Sequence, residues 1–109
     1  MLVKNIDAQE LSTLLAGDDE LLLIDVRTAR EVAMGVITET PEIMPMVTIP
    51  MRMSEIPKDK KVIIYCRTGA RSGQACMYLQ QQGFDNVYNL QGGIVMWAQS
   101  GLTVSHLAP

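Results

Sequence analysis

Two short, uninterrupted apolar runs constrain the fold of this chain more than any other feature. Leu21–Ile24 and Val62–Tyr65 are too short for helices, and each is followed by polar residues and then by an amphipathic segment. Runs of this kind are typical of strands that are buried on both faces of a parallel sheet. Because strands that alternate with helices form crossover units, the sequence predicts an α/β fold with a mainly parallel sheet.

Weaker signals complete the predicted sheet. Short β-branched or apolar stretches favour further strands at Leu2–Ile6, Met46–Ile49 and Asn86–Leu90. The region 35–57 contains prolines that exclude a long helix, and we expect one or two helical turns over Met51–Ile56.

Capping signals predict where the helices begin. Asp7 and Thr28 are each followed three residues later by a glutamate, which is the spacing of a capping box. We expect the first helix to end at Gly17 and Asp18 and the second near Met34. Two later helices are predicted, one after residues 66–72 and closed by Gly83, the other over Ile94–Gln99 after a Gly92-Gly93 turn.

Length and composition exclude several classes of protein. A chain of 109 residues suits one domain, 1–109. The net charge of −3 without a basic run argues against nucleic acid as a partner, and the lack of a long apolar run argues against a membrane. Two cysteines without a visible secretory signal predict a reducing, cytoplasmic location. With His106 as the only histidine, we expect no metal, no cofactor and no histidine-based triad.

The segment after the second apolar run contains the candidate catalytic residue and the groups expected to activate it. Cys66 ends a predicted buried strand, and Gly69 lies between it and a predicted helix. A loop of this kind can turn successive N–H groups toward the sulfur, and the helix N-terminus adds a positive end. Arg67 and Arg71 add positive charge, so every contribution favours the nucleophilic thiolate and an anion beside it. The alternative is that Cys66 is a small buried hydrophobe and the arginines are surface charges.

At this point the sequence resembles the single-domain rhodaneses, a family of sulfurtransferases. The residues that carry the resemblance are Leu23-Ile24-Asp25-Val26-Arg27, Val62-Ile63-Ile64-Tyr65-Cys66-Arg67-Thr68-Gly69-Ala70-Arg71-Ser72, Gly83-Phe84, Leu90-Gln91-Gly92-Gly93-Ile94 and Trp97. The resemblance implies a five-stranded, mainly parallel sheet with helices on both faces. It also implies that Cys66 takes a sulfane sulfur from a donor such as thiosulfate and passes the persulfide sulfur to cyanide or a thiol.

The length of the loop distinguishes the expected sulfur transfer from phosphatase chemistry. The resemblance assigns the active-site loop to Cys66, Arg67, Thr68, Gly69, Ala70, Arg71 and Ser72. Its N–H groups are expected to stabilise the persulfide charge as an oxyanion hole stabilises oxygen. Cysteine-dependent phosphatases have five residues between cysteine and arginine, whereas this chain has four and places Ser72 at the phosphatase arginine position. Arg67 suits a dianion such as thiosulfate, although it can equally be a solvated charge at the rim.

Asp25 and Arg27 match the family's Asp-x-Arg at a strand end. They are expected to support the loop through a buried or half-buried ion pair, for instance with Glu31 or Arg71, and the alternative is that they shape the site directly.

Other conspicuous residues are assigned to packing. Cys76 lies at helical spacing in the predicted core, and Trp97 is expected to anchor the last helix. Five of the eight methionines fall in the segment 34–53, where they can fill space over the sheet, form a docking rim or bind copper(I). The same segment departs from the family, which usually has His-Ile-Pro-Gly-Ala after the position of Gly35, where this chain has Val36-Ile37-Thr38-Glu39-Thr40-Pro41.

Two alternatives to a thiosulfate-using enzyme stay open at this level. One is a non-catalytic, rhodanese-like binding or regulatory module; the intact cysteine loop favours the enzyme over this alternative. The other is a persulfide carrier that transfers sulfur between proteins, for which the methionine-rich segment would be the docking face.

Overall fold

A computed structural model describes residues 2–17 and 20–107 of the chain. The strands are β1 (Asn5–Ile6), β2 (Leu21–Asp25), β3 (Glu42–Ile43), β4 (Lys61–Tyr65) and β5 (Val87–Leu90). They form one sheet in the order β1-β5-β4-β2-β3, and all neighbouring pairs are parallel. The predicted five-stranded parallel sheet is therefore confirmed, with a first strand shorter than the predicted Leu2–Ile6.

Five α-helices connect or flank the strands within residues 2–17 and 20–107. They are α1 (Ala8–Ala16), α2 (Ala29–Val32), α3 (Ile49–Arg52), α4 (Ala70–Gln81) and α5 (Gly93–Gln99). Both predicted capping boxes are present, at the starts of α1 and α2. The predicted helix end at Asp18 lies outside the described residues. Within the described ranges, no helix is long and apolar enough to cross a membrane.

The sheet separates two apolar cores, because alternate strand residues point to opposite faces. On one face, Ile64 of β4 packs in a cluster that includes Leu79 of α4. On the other face, Ile63 of β4 packs in a cluster that includes Leu11 of α1 and Trp97 of α5. Helices on both faces, as predicted, therefore cover a central strand that is inaccessible to solvent at both isoleucines.

The predicted strand at Met46–Ile49 is wrong, because residues Met46–Thr48 form a 3₁₀ helix. The backbone N–H and the hydroxyl of Thr48 both donate to the Pro45 carbonyl, at 2.8 and 2.7 Å, and close a turn. Pro50 then occupies the first turn of α3, where its fixed φ suits a helix. The edge strand is instead β3, a two-residue element whose sequence carries no strand pattern.

The helical turns predicted over Met51–Ile56 are present but begin earlier. They consist of α3 followed by a 3₁₀ turn over Met53–Glu55. These turns lie on the α4 face of the sheet, where Ile49 and Ile56 join the buried cluster.

The carboxyl ends of the central strands lie at one edge of the sheet. Asp25, the last residue of β2, is in register with Tyr65, the last residue of β4. Cys66 follows Tyr65 directly, so the predicted site residues of the two strands are brought to the same edge, where ligands bind in open parallel sheets.

Candidate active site

Cys66 lies at the end of β4, at the base of a tight loop. The residue is 1% exposed, and α4 begins at Ala70. Ala70, Arg71 and Ser72 therefore belong to the first turn of α4, and only residues 67–69 form the loop between strand and helix. Gly69 closes this loop with a positive φ of 101°, a conformation that favours glycine.

Hydrogen-bond donors surround the Cys66 sulfur. The Gly69 N–H lies 3.1 Å from Sγ, and the Ser72 hydroxyl oxygen lies 3.3 Å from it. Burial by itself raises the pKa of the Cys66 thiol. The Ser72 hydroxyl and the N–H groups of Ser72, Gly69 and Thr68 outweigh burial, so the pKa lies below the ordinary value. The thiolate, which is the nucleophilic form, is thereby favoured.

The start of α5 fixes the orientation of the loop. The N–H of Ile94 donates to the Cys66 carbonyl at 3.0 Å, and the N–H of Val95 donates to the Arg67 carbonyl at 3.1 Å. These are donors of the first turn of α5, which have no partner within their own helix. Because the two carbonyls point toward α5, the following N–H groups are free to face the sulfur.

Gly93 permits this close approach. Its φ is +59°, and a β-carbon there would lie 2.5 Å from the Cys66 carbonyl oxygen and overlap the Arg67 carbonyl. The sequence predicts only a turn for the Gly92-Gly93 pair. A glycine pair directly after a strand end is a signal for close backbone contact as well.

The two arginines beside Cys66 differ in their partners. Arg71 forms a bidentate ion pair with Glu31, with both N···O distances 2.7 Å. The bond from Arg71 lowers the pKa of Glu31 to about 2. The Arg67 side chain is exposed, and the described residues offer it no hydrogen bond or ion pair. Of the two predicted charges, Arg67 is thus the one available to a bound anion.

Asp25 and Arg27 form a buried ion pair with each other rather than with Glu31 or Arg71. Arg27 Nη2 lies 2.7 Å from Asp25 Oδ2, and the two side chains are 5% and 0% exposed. Arg27 Nη2 also donates to the Gly35 carbonyl at 2.7 Å. The pair therefore ties the end of β2 to the segment after α2, which agrees with a supporting role.

Asn89 of β5 lies at the candidate site, although it is not among the site residues predicted from the sequence. Its Oδ1 lies 2.5 Å from the Ser72 hydroxyl oxygen, and its Nδ2 donates to the Gly69 carbonyl at 3.2 Å. It therefore contacts both residues whose side chain or N–H reaches the Cys66 sulfur. A lone polar residue near the end of a buried strand was the available signal.

Residues that the sequence assigned to packing are buried as predicted. Cys76 is inaccessible to solvent, and burial raises the pKa of its thiol to about 12. Trp97 is 4% exposed, and its indole N–H donates to the Thr103 carbonyl.

The methionine-rich segment divides between core and surface. Met44 is fully buried, and Met46 and Met53 pack against the same core, which confirms the packing interpretation for these three. Met34 and Met51 are instead 75% and 88% exposed.

The segment that departs from the family pattern directly follows Met34 and Gly35, which line an open cleft beside the loop. Val36 pairs with Ser105 through two hydrogen bonds of 2.7 Å, and it is fully buried. The cleft has a volume of about 250 Å³, and Arg67 is one of the residues that line it. Its apolar lining consists of Met34, Ile94, Val95, Ala98 and Val104.

The arrangement is suited to nucleophilic chemistry at sulfur. Among the described residues, no group of three or more histidine, cysteine, aspartate or glutamate side chains could hold a metal ion. The described residues offer a thiol with a lowered pKa, a set of N–H donors and the Arg67 side chain, which has no ion-pair partner among them.

Comparison with known proteins agrees with this geometry. Residues 7–100 match the model of the rhodanese-like domain. A protein of Allochromatium vinosum named sulfurtransferase is 53% identical over 103 residues, which covers 94% of this chain and 95% of that protein.

Solved structures share the fold over nearly the whole chain. The crystal structure of a rhodanese-like domain protein from Staphylococcus aureus has a TM-score of 0.83 and 34% identity, covering 94% of this chain and 99% of that one. A crystal structure from Staphylococcus saprophyticus has a TM-score of 0.84 and 32% identity, covering 95% and 100% of the two chains.

Proposed function

This chain belongs to the rhodanese-like family, and on that premise we propose that it is a sulfurtransferase in which Cys66 carries the transferred sulfur as a persulfide. A relative that is 53% identical over nearly its full length carries the name sulfurtransferase, which supports the transferase activity. The observation that carries the persulfide proposal is the set of N–H and hydroxyl donors around a cysteine whose pKa is lowered.

In the first half-reaction, the Cys66 thiolate attacks the outer sulfur of a donor such as thiosulfate. A sulfur–sulfur bond to Sγ forms, the bond between the two donor sulfurs breaks, and sulfite leaves with the electron pair. The negative charge then lies on the terminal persulfide sulfur. The N–H groups of the loop and of the first turn of α4 stabilise this charge without rearrangement, because the bonds from α5 already hold the loop.

In the second half-reaction, a nucleophilic acceptor attacks the terminal sulfur. Cyanide leaves as thiocyanate and a thiolate leaves as a persulfide, while Cys66 regains its thiolate. No proton transfer is needed when both partners are ionised, so the cycle needs no general base. The open cleft beside the loop offers room for an organic acceptor such as a thiol.

Burial and charge favour thiosulfate as the donor. Because Cys66 is only 1% exposed, a donor has to present a narrow, terminal sulfur atom to it. Thiosulfate does so, and its two negative charges suit the exposed side chain of Arg67, which lines the cleft and has no ion-pair partner among the described residues. The chemistry also requires a reduced Cys66, which suits a reducing compartment such as the cytoplasm.

Intact-mass measurement tests the persulfide directly. After incubation with thiosulfate, we expect the protein to gain the mass of one sulfur atom and to lose it again when cyanide is added. Cys66→Ser should gain nothing. Cys76→Ser is the matched control and should behave as wild type, because the Cys76 sulfur is buried and un-ionised. Equal modification of Cys66→Ser and wild type would show that Cys66 is not the carrier.

The same preparation distinguishes the enzyme from a dedicated carrier. The exposed Met34 at the cleft offers an apolar contact for a protein acceptor. Slow turnover with cyanide together with fast transfer to a protein thiol would identify the carrier, and comparable rates would identify the small-molecule enzyme.

A further inference from the structure

The Ser72 hydroxyl lies between two acceptors but has one proton to donate. Its oxygen is 3.3 Å from Cys66 Sγ and 2.5 Å from Asn89 Oδ1, and Ser72 is inaccessible to solvent. Solvent water therefore cannot reach the Ser72 hydroxyl oxygen to donate a second proton to either acceptor. Whichever acceptor receives the proton, the other one faces an oxygen lone pair.

The orientation of the Asn89 amide is fixed by its own partners. Nδ2 donates to the Gly69 carbonyl at 3.2 Å and to Asn5 Oδ1 at 3.1 Å. The Gly69 carbonyl is a backbone group that can only accept, so it holds Nδ2 on its side of the amide. Asn5 of β1 is in register with Asn89 and strengthens this orientation. Oδ1 must then face Ser72.

The short Ser72–Asn89 distance limits when the Ser72 hydroxyl can donate its proton to the Cys66 sulfur. With Oδ1 facing Ser72, two oxygens 2.5 Å apart are stable only when the hydroxyl proton lies between them. A thiol at Cys66 tolerates this arrangement because it can donate its own proton to Ser72. A thiolate cannot, and it attracts the hydroxyl proton to itself.

We propose that Asn89 is a positioning residue that competes with the Cys66 sulfur for the hydroxyl proton of Ser72. The hydroxyl donates to Asn89 when Sγ carries no charge and rotates toward Sγ when it becomes a thiolate. When the persulfide forms, the charge moves to the terminal sulfur and the hydroxyl returns to Asn89. Because two oxygens 2.5 Å apart need the proton between them, its rotation toward Sγ also requires the side-chain oxygens of Ser72 and Asn89 to move apart, while the backbone of the loop stays fixed.

The importance of this competition for turnover rests on the proposed function, but the competition itself concerns only ionisation of Cys66. The charged groups near the sulfur are the Arg71–Glu31 pair from α4 and α2, the Asp25–Arg27 pair at the end of β2, and the side chain of Arg67. A neutral substitution at Asn89 leaves all of them in place.

The test is the fraction of Cys66 thiolate as a function of pH, followed by ultraviolet absorbance with Cys66→Ser as the blank. Cys76 stays silent because its pKa is raised to about 12. Asn89→Leu keeps the shape and removes the acceptor, so the proton becomes available to the sulfur. On the acid side of the midpoint we expect the thiolate fraction to rise roughly threefold to tenfold, the net value of one ordinary hydrogen bond.

Two controls separate competition from packing. Asn89→Asp keeps an acceptor at the same place and must not raise the thiolate fraction. In a Ser72→Ala background, Asn89→Leu must have no effect, because no hydroxyl proton remains to compete for. A rise that persists without Ser72, a rise in Asn89→Asp, or an unchanged or lower fraction in Asn89→Leu would overturn the proposal.

A milder variant tests the proposal if Asn89→Leu does not fold. Asn5→Ala alters an exposed residue and removes one of the two acceptors that orient the Asn89 amide. We expect a smaller increase of the same sign, abolished by Ser72→Ala, and no change would count against the proposal. Because no donor or acceptor substrate is used, the result is independent of whether Cys66 carries sulfur.

Discussion

The two cysteines of this chain acquire opposite chemistry from their surroundings. Cys76 lies within α4 among apolar side chains, and burial raises the pKa of its thiol to about 12. Cys66 is also buried, but the donors around its sulfur more than offset the cost of burying a charge, so its pKa is lowered. Burial therefore makes a cysteine inert only where no hydrogen-bond donor reaches the sulfur.

Arg67 offers a test of anion binding at the scale of one residue. If its exposed guanidinium holds thiosulfate, Arg67→Ala should raise KM for thiosulfate roughly threefold to tenfold, the range for a partly solvated, charge-assisted bond. We expect kcat to change little, since the contact is the same in the ground state and the transition state. Steady-state kinetics with thiosulfate and with an uncharged organic trisulfide measure the difference.

The matched control for this experiment is Arg30→Ala. Arg30 is an exposed arginine of α2 and does not line the cleft beside the loop. Arg30→Ala should leave KM unchanged for both the charged and the uncharged donor. Equal effects of Arg67→Ala on the charged and uncharged donors would mean that Arg67 does not bind the anion.

At the scale of elements, α5 acts as the support of the cysteine loop. The N–H groups of its first turn bind the carbonyls of Cys66 and Arg67, and Gly93 lets the helix come close enough to do so. The cysteine loop and the turn after β5 are therefore one structural unit, although they are distant in sequence.

Gly93→Ala should displace the cysteine loop from the first turn of α5. The added β-carbon would overlap the Cys66 and Arg67 carbonyls, so the loop must shift and the donors leave the sulfur. We expect at least about a tenfold slower gain of sulfur from thiosulfate, as well as a lower Tm, because the site loses charge stabilisation. Intact mass against time and thermal unfolding provide the two measurements.

Gly101→Ala controls for backbone strain. Gly101 has a similar positive φ of +80°, but an added β-carbon there meets nothing within 4 Å. Gly101→Ala should lower the free energy of unfolding by about 1–2 kcal/mol, because alanine disfavours the left-handed conformation. It should retain the wild-type rate of sulfur gain. If Gly93→Ala kept the wild-type rate as well, α5 would not position the loop.

At the scale of the whole molecule, one sheet joins two separate cores. Leu79 packs on the α4 face and Trp97 on the α5 face, and fully buried β4 residues contribute to both. Loss of either core exposes the same central strand. We therefore expect the domain to unfold as one cooperative unit.

Leu79→Ala tests this coupling across the sheet. Leu79 is fully buried, so its truncation should lower the free energy of unfolding by about 2–5 kcal/mol. Fluorescence of the only tryptophan, on the opposite face, and far-UV circular dichroism should shift to the same lower urea midpoint. Met77→Ala, at a 45% exposed position of the same helix, should change stability by less than about 0.5 kcal/mol. Separate midpoints for the two probes would show that the cores unfold independently.

Local sequence signals predicted most of the elements because they act over a few residues. The apolar runs around Ile24 and Ile64 indicated central strands, and the acceptors at Asp7 and Thr28 indicated helix starts, all of which the structure contains. The error at Met46–Thr48 arose where two prolines and a turn at Thr48 outweighed β-branched composition. The short edge strand at Glu42–Ile43 depends on pairing with β2, which no local pattern encodes.

Hydrophobic periodicity, capping and glycine positions are local properties, so the amino-acid sequence was enough to predict the alternation of strands and helices and the position of Cys66 between a buried strand and a helix. The charges and dipoles that meet at the sulfur depend instead on contacts between elements. The tertiary structure paired Arg71 with Glu31, left Arg67 unpaired among the described residues, placed α5 beneath the loop and brought Asn89 to Ser72. These contacts join residues that are 17 to 40 positions apart, so packing between elements, and not local preference, sets the chemistry of Cys66.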